Sequence, residues 1–247
     1  MVRSEPVLIL SHGFSAAPFQ WFEFIDYASV HYPSLHIDNV LMGAHLNTYS
    51  SFKHSSWVDW FQPILNRYHY YLSLGYSSIF FGSISLSASI LLYYYFSNYF
   101  DSFVSPEHLF LIDPFVKPRS PFFRYVSLLG PLIRHLNWGK NFTLYEKRYC
   151  YEHIPYQTLT SIRQFQNLFY SVIPTYSKSS FPISLFCSNN DPLVTSDDLS
   201  FLNPQFFNSD LHVFTRLYGR SSVSTDDISN QNAVFNSILD TIRLKSA

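Results

Sequence analysis

Short runs dominated by apolar residues recur along this chain, with helix-period segments between them. They are Val7-Leu8-Ile9-Leu10, Ser78-Ile79-Phe80-Phe81, Leu109-Phe110-Leu111-Ile112 and Ile183-Ser184-Leu185-Phe186-Cys187. A strand that is apolar at successive positions has no polar face to give to water. It has to be covered on both sides, which is the situation of a parallel sheet between two layers of helices. Leu35 to Leu41 and Leu211 to Leu217 read as two further strands.

The segments between these runs carry the other period. Trp57, Trp60, Phe61, Ile64, Leu65 and Tyr68 fall on one face of a helix, with Ser56 and Asp59 as a variant of the capping box. Pro63 lies inside this pattern and is expected to kink it. Pro18 to His31 is expected to be helical with Phe19, Phe22, Phe24, Ile25 and Ala28 inward, and Leu86 to Tyr99 reads as another helix. A C-terminal helix places Val234, Phe235, Ile238, Leu239 and Ile242 together.

The alternation stops after Asp113-Pro114 and resumes near Ile183. Residues 116–180 read as helical and irregular, broken by Pro118, Pro121, Pro131, Pro155 and Pro174. The expected organisation is therefore an α/β core over 1–115 and 181–247 with a helical cap inserted at 116–180. A length of 247 residues is ample for such a core.

Composition narrows the function classes. With 16 basic and 17 acidic side chains, a net charge of −1 and no cationic cluster, the chain lacks the footprint that binds nucleic acid. Cys150 and Cys187 make neither a disulfide framework nor a zinc ligand pattern, and no histidine pair has metal spacing, so no metal and no cofactor are expected. Tyr70 to Phe100 carries no formal charge, but Gly75, Gly82, Asn98 and its serines make it too polar for a transmembrane segment. The apolar stretch at the N-terminus is too short for a signal-peptide core, and a cytoplasmic location is the expectation.

Three motifs fall at the carboxyl ends of the expected strands, where open α/β sheets place their ligands. They are Ser11-His12-Gly13-Phe14, the strand-to-helix junction Gly82-Ser83-Ile84-Ser85-Leu86-Ser87-Ala88, and Ser188-Asn189-Asn190-Asp191-Pro192-Leu193-Val194. With the capped α/β pattern they resemble the α/β-hydrolase superfamily, in particular small bacterial carboxylesterases and monoacylglycerol-lipase-like enzymes. Ser56-Trp57-Val58-Asp59-Trp60 is similar to the "TTWEDW" helix start of that group, and Leu41-Met42-Gly43-Ala44-His45 falls where it has an "LPGHG" turn. The likeness runs from about Val7 to the C-terminal helix.

The resemblance implies a catalytic serine at Ser85, the centre of G-x-S-x-G, although Ser83 and Ser87 replace both glycines. It implies an oxyanion hole from the backbone N–H groups of Phe14 and Leu86. It implies Asp191 as the acid, with Asp113 as the alternative. The family's histidine lies between the last strand and the last helix, and counting back from that helix puts Ser222 at its position. No histidine follows His212, which is expected to begin the last strand, far from the carboxyl edge. His45, His54, His135 and His153 read as surface or cap histidines. Two functions stand: a carboxylic-ester hydrolase of weak or atypical activity on an apolar or acylglycerol-like ester, or an inactive pseudo-hydrolase binding an apolar ligand or a protein partner.

Overall fold

The computed structural model describes residues 5–116, 125, 135–137, 151, 153–172, 182–188, 209–214 and 225–246. Its strands are β1 (Val7–Ser11), β2 (His36–Val40), β3 (Ile79–Ile84), β4 (His108–Ile112), β5 (His135–Asn137), β6 (His153–Pro155), β7 (Ile183–Ser188) and β8 (Ser209–Phe214). Six of them form one sheet in the order β2-β1-β3-β4-β7-β8. Every pairing in that sheet is parallel.

Register sorts the core into two halves, because paired residues of parallel strands share a face. The row Ile9, Phe81, Leu109, Ile183 lies on one side, with α3 (Trp57–Ser73), α4 (Leu86–Phe96) and α5 (Tyr156–Val172). Leu8, Phe80, Phe110 and Phe186 face the other way, onto α1 (Phe22–His31) and α6 (Thr225–Ser246). All five apolar residues expected inward on α6 are buried. Each such side chain contributes roughly 1.5–3 kcal/mol on leaving water. The six inward residues expected on α3 are buried as well, and the Ser56–Asp59 capping box is formed.

Two expectations need correction. Phe22 is 49% exposed, and Trp21, fully buried, takes its place against the sheet. The reason is a 3₁₀ turn at Pro18–Trp21 before α1, whose three-residue period shifts the inward face by one position. The segment 116–180 is also not wholly helical: β5 and β6 pair antiparallel within it. Its helix α5 packs on α3 and α4, and Leu159, Ile162, Phe165 and Phe169 join the same apolar cluster as the sheet.

Pro63 lies within α3 without ending it. Proline has no N–H for the Asp59 carbonyl one turn back, and that carbonyl is where Gly43 packs. A Cβ at Gly43 would lie 2.0 Å from Asp59 O, so only glycine fits, and the Gly43 N–H donates to Trp60 O at 2.9 Å. The loop that begins there leads into the short helix α2 (Tyr49–Lys53), which packs on α5. No helix among the described residues is long and apolar enough to cross a membrane.

Candidate active site

β3 ends at Ile84 and α4 begins at Leu86, so Ser85 alone turns the chain, at φ 56° and ψ −122°. A non-glycine residue held there costs on the order of 1–3 kcal/mol and persists only where its surroundings enforce it. They do so from both sides. The Ser85 N–H donates to Ile112 O at 2.8 Å, and its carbonyl accepts from Phe115 N–H at 3.1 Å and Ser89 N–H at 3.3 Å. The turn aims the N-terminus of α4, and the unpaired donors of its first turn, at the space beside Ser85.

The serines in the glycine positions are fully buried and bonded. Ser83 Oγ lies 2.7 Å from Ser11 Oγ, its register partner on β1. Ser87 Oγ donates to Ile84 O at 2.8 Å and accepts from Ile84 N–H at 3.2 Å. Serine is tolerated here because each hydroxyl finds a partner, where an unpaired one would cost about 1–3 kcal/mol.

The loop after β1 comes directly against this turn. A Cβ at Gly13 would lie 3.3 Å from Ser85 Cβ and 3.7 Å from Ile84 O. The Gly13 carbonyl accepts from Ala16 N–H at 3.2 Å and from His12 Nδ1 at 2.9 Å. In a trans peptide the next N–H points opposite to that carbonyl. The Phe14 N–H is thereby aimed, and it has no hydrogen-bond partner among the described residues. Its ring packs between Phe52 and Trp60, with centroids at 5.4 and 5.1 Å.

Two histidines hold this loop, and both are neutral. Met42 N–H donates to His12 Nε2 at 3.0 Å, so the proton of His12 is on Nδ1, toward Gly13 O. His45 repeats the pattern: Nε2 accepts from Ser15 N–H at 3.2 Å, and Nδ1 donates to Gly43 O at 3.0 Å. Burial, and secondarily the neighbouring His45, holds His12 well below its ordinary pKa, while burial brings His45 down to about 4. The expectation of a surface histidine at His45 is corrected. It is 2% exposed, because the loop folds its ring between Phe52 and His12, and its nitrogens are spent on backbone.

Tyr151 locks onto the same loops. Its N–H donates to Ser15 O at 3.3 Å, its carbonyl accepts from Ser15 Oγ at 3.1 Å, and its hydroxyl reaches Ala44 O and Asn47 O at 3.0 and 2.7 Å. Its ring stacks on Phe52 with centroids 4.2 Å apart. The sequence carries no sign of this contact, since Tyr151 is one of 19 tyrosines.

Ser85, Phe14 and Leu86 therefore come together at the carboxyl edge of the sheet. Asp191 and Ser222 lie outside the described residues. The alternative acid, Asp113, follows β4 directly, is 7% exposed and has φ 44°. Its N–H donates to Phe186 O at 2.8 Å. His212 does not begin β8; it is the fourth residue of that strand. The register row Ile84, Ile112, Phe186, His212 puts it level with the residue before Ser85, three strand spacings or roughly 14 Å away. His54 is exposed and bonded to Ser50 O, and His153 is exposed on β6. No cluster of metal-ligating side chains occurs among the described residues.

No family model matches this sequence, and no curated protein does. Solved structures do. A structure from work on the metagenome-derived lipolytic enzymes LipS and LipT aligns at TM-score 0.75 and 14% identity, over 98% of this chain and 95% of that one. A soluble variant of monoglyceride lipase from Saccharomyces cerevisiae, in complex with a substrate analogue, aligns at 0.76 and 13%, over 100% and 90%. Paleococcus ferrophilus monoacylglycerol lipase aligns at 0.71 and 11%, over 97% and 96%.

Proposed function

Because the chain has the α/β-hydrolase fold, we propose that it is a serine hydrolase of carboxylic esters, of acylglycerol-like or short-chain type, with weak or atypical turnover. One observation carries this reading: Ser85 is held at φ 56° between β3 and α4, with the Gly13 loop packed against it. Ser85 Oγ attacks the ester carbonyl, and the carbonyl electron pair moves onto its oxygen. The Phe14 and Leu86 N–H groups receive that charge. Collapse expels the alcohol, and water then releases the acid from the acyl-serine. Asp191 is the acid of this scheme.

The serine proton needs an acceptor, and here the scheme is deficient. His12 and His45 are neutral, with both ring nitrogens engaged, and Ser222 stands at the position of the base. Loss of the base from a triad costs several powers of ten. This specific deficiency supports the second reading, a pseudo-hydrolase that retains the scaffold to bind an apolar ligand or a protein partner.

A p-nitrophenyl ester assay beside fluorophosphonate labelling separates the two. Labelling is expected to be slow, with any adduct on Ser85. Rapid stoichiometric labelling means that a base exists and discards the second reading. Adducts on Ser83 or Ser87 instead would overturn the assignment of the turn.

A further inference from the structure

Gln20 belongs to the 3₁₀ turn Pro18–Trp21, and nothing in its sequence context singles it out. Its Oε1 accepts the Gly13 N–H at 2.7 Å. The next side chain, Trp21, donates from Nε1 to Ser11 O at 2.9 Å. Two consecutive residues of one turn therefore grip the end of β1 and the loop that follows it. The turn is itself fixed, because Asn39 Nδ2 on β2 donates to Pro18 O at 2.9 Å.

Gly13 is the residue that touches Ser85. The position of a Cβ on Gly13 lies 3.3 Å from both Gln20 Oε1 and Ser85 Cβ. The glycine thus stands between the carboxamide and the serine. The peptide joining Gly13 to Phe14 is held on its carbonyl by His12 Nδ1 and Ala16 N–H, and the peptide before it is held on its N–H by Gln20. With both planes fixed, the Phe14 N–H has one direction left. An oxyanion donor displaced by a fraction of an ångström loses much of its value, because its worth depends on being aimed before charge develops.

We infer that Gln20 is a positioning residue for the oxyanion hole, acting through Gly13 on the Phe14 N–H. The inference rests on the ester-hydrolase reading of Ser85 and goes beyond it by giving a role to a side chain that neither the motif nor the turn identifies. Gln20 does not need to touch substrate for this, and its effect falls on the transition state, where the oxyanion exists, rather than on the planar ester.

The test compares wild type, Gln20→Met and Gln20→Glu. Methionine keeps the length and removes the acceptor, while glutamate keeps an acceptor oxygen. Amide hydrogen exchange at Gly13 is expected to speed up at least about tenfold in Gln20→Met and to stay slow in Gln20→Glu. With p-nitrophenyl butyrate, Gln20→Met should lower kcat at least about tenfold and leave KM within about twofold. Unchanged exchange at Gly13 in Gln20→Met overturns the hydrogen bond. An unchanged kcat, or a rise in KM alone, overturns the positioning role while leaving the hydrolase reading intact. A wild type inert toward the ester and toward fluorophosphonate overturns the hydrolase reading and this inference with it.

Discussion

The Ser87 hydroxyl bonds both polar groups of Ile84, donating to its carbonyl at 2.8 Å and accepting from its N–H at 3.2 Å. Ile84 is the residue before Ser85, so this serine closes the turn from the helix side, in a position where glycine offers nothing. A third contact, to Ser11 O at 3.4 Å, ties it to the strand that leads into the Gly13 loop. Restoring glycine should therefore harm the site. Ser87→Gly and Ser87→Ala are each expected to lose about 1–2 kcal/mol in urea unfolding, with Ser87→Gly the worse because a helical glycine also gives up backbone entropy. Equal or higher stability of Ser87→Gly would show that the hydroxyl is an accident of composition.

Left-handed backbone at residues other than glycine recurs around the site: Ser15, Ala44, Leu46 and Ser85 have φ between 55° and 62°. At Ala44 and Leu46 the strain secures the loop around His45. Ala44→Gly and Leu46→Gly should each stabilise the fold by about 0.5–1 kcal/mol, the left-handed cost less the entropy that glycine adds to the unfolded chain. Ser85→Gly should stabilise similarly while abolishing any phosphonate adduct. That opposition, read in thermal unfolding and mass spectrometry, distinguishes strain kept for chemistry from strain kept by drift.

The sheet was legible because β1, β3 and β4 are buried on both faces, and near-continuous runs such as Val7 to Leu10 have few other uses. The helices α3 and α6 were legible from their period. The phase of α1 was lost to three residues per turn at Pro18–Trp21. The ribbon of β5 and β6 was missed because His135–Asn137 and His153–Pro155 are too short to show alternation. At the site, the turn at Ser85 and the His12-Gly13-Phe14 loop could be placed at the ends of strands, while the roles given to them came from the family resemblance. The contacts of His45 with Ser15, and of Gln20 with Gly13, could not. They depend on where loops return in space, and left-handed backbone at alanine or leucine leaves no mark in a sequence.

Three buried histidines make stability depend on pH. Burial holds His12 well below its ordinary value and brings His45 to about 4; His108 is brought to about 3 by burial and, secondarily, by Lys245. In each case the unfolded chain binds a proton more readily than the folded one. Their stabilising contribution is therefore full above about pH 6.5 and falls as pH drops toward the folded values. For His45 the shift from 6.5 to about 4 corresponds to roughly 3 kcal/mol. The urea midpoint should decline steeply between pH 6.5 and 4. In the double variant His108→Phe/Ser184→Ala, which removes the His108–Ser184 bond at 2.8 Å, the decline should be shallower. An identical slope in both proteins would count against His108 as one of the sources.

The missing base offers the most direct test of the hydrolase reading. If Ser222 occupies the histidine position, Ser222→His places an imidazole between Ser85 and Asp191. The acid then holds Nδ1–H, and Nε2 accepts the serine proton. General-base catalysis is typically worth 10²–10⁴, and surroundings not shaped for an imidazole will waste part of it, so a gain of at least about tenfold in ester hydrolysis is expected. The gain should vanish in Ser222→His/Ser85→Ala. It should also vanish in Ser222→His/Asp191→Asn if Asp191 is the acid. If Asp113→Asn abolishes it instead, the acid is the residue after β4, whose loop already grips the Ser85 backbone through Ile112 and Phe115. Rescue by Ser221→His but not by Ser222→His keeps the scheme and moves the base by one residue. No gain from either, with an inert wild type, favours the binding scaffold, since a turn already held at φ 56° would then lack more than a proton acceptor.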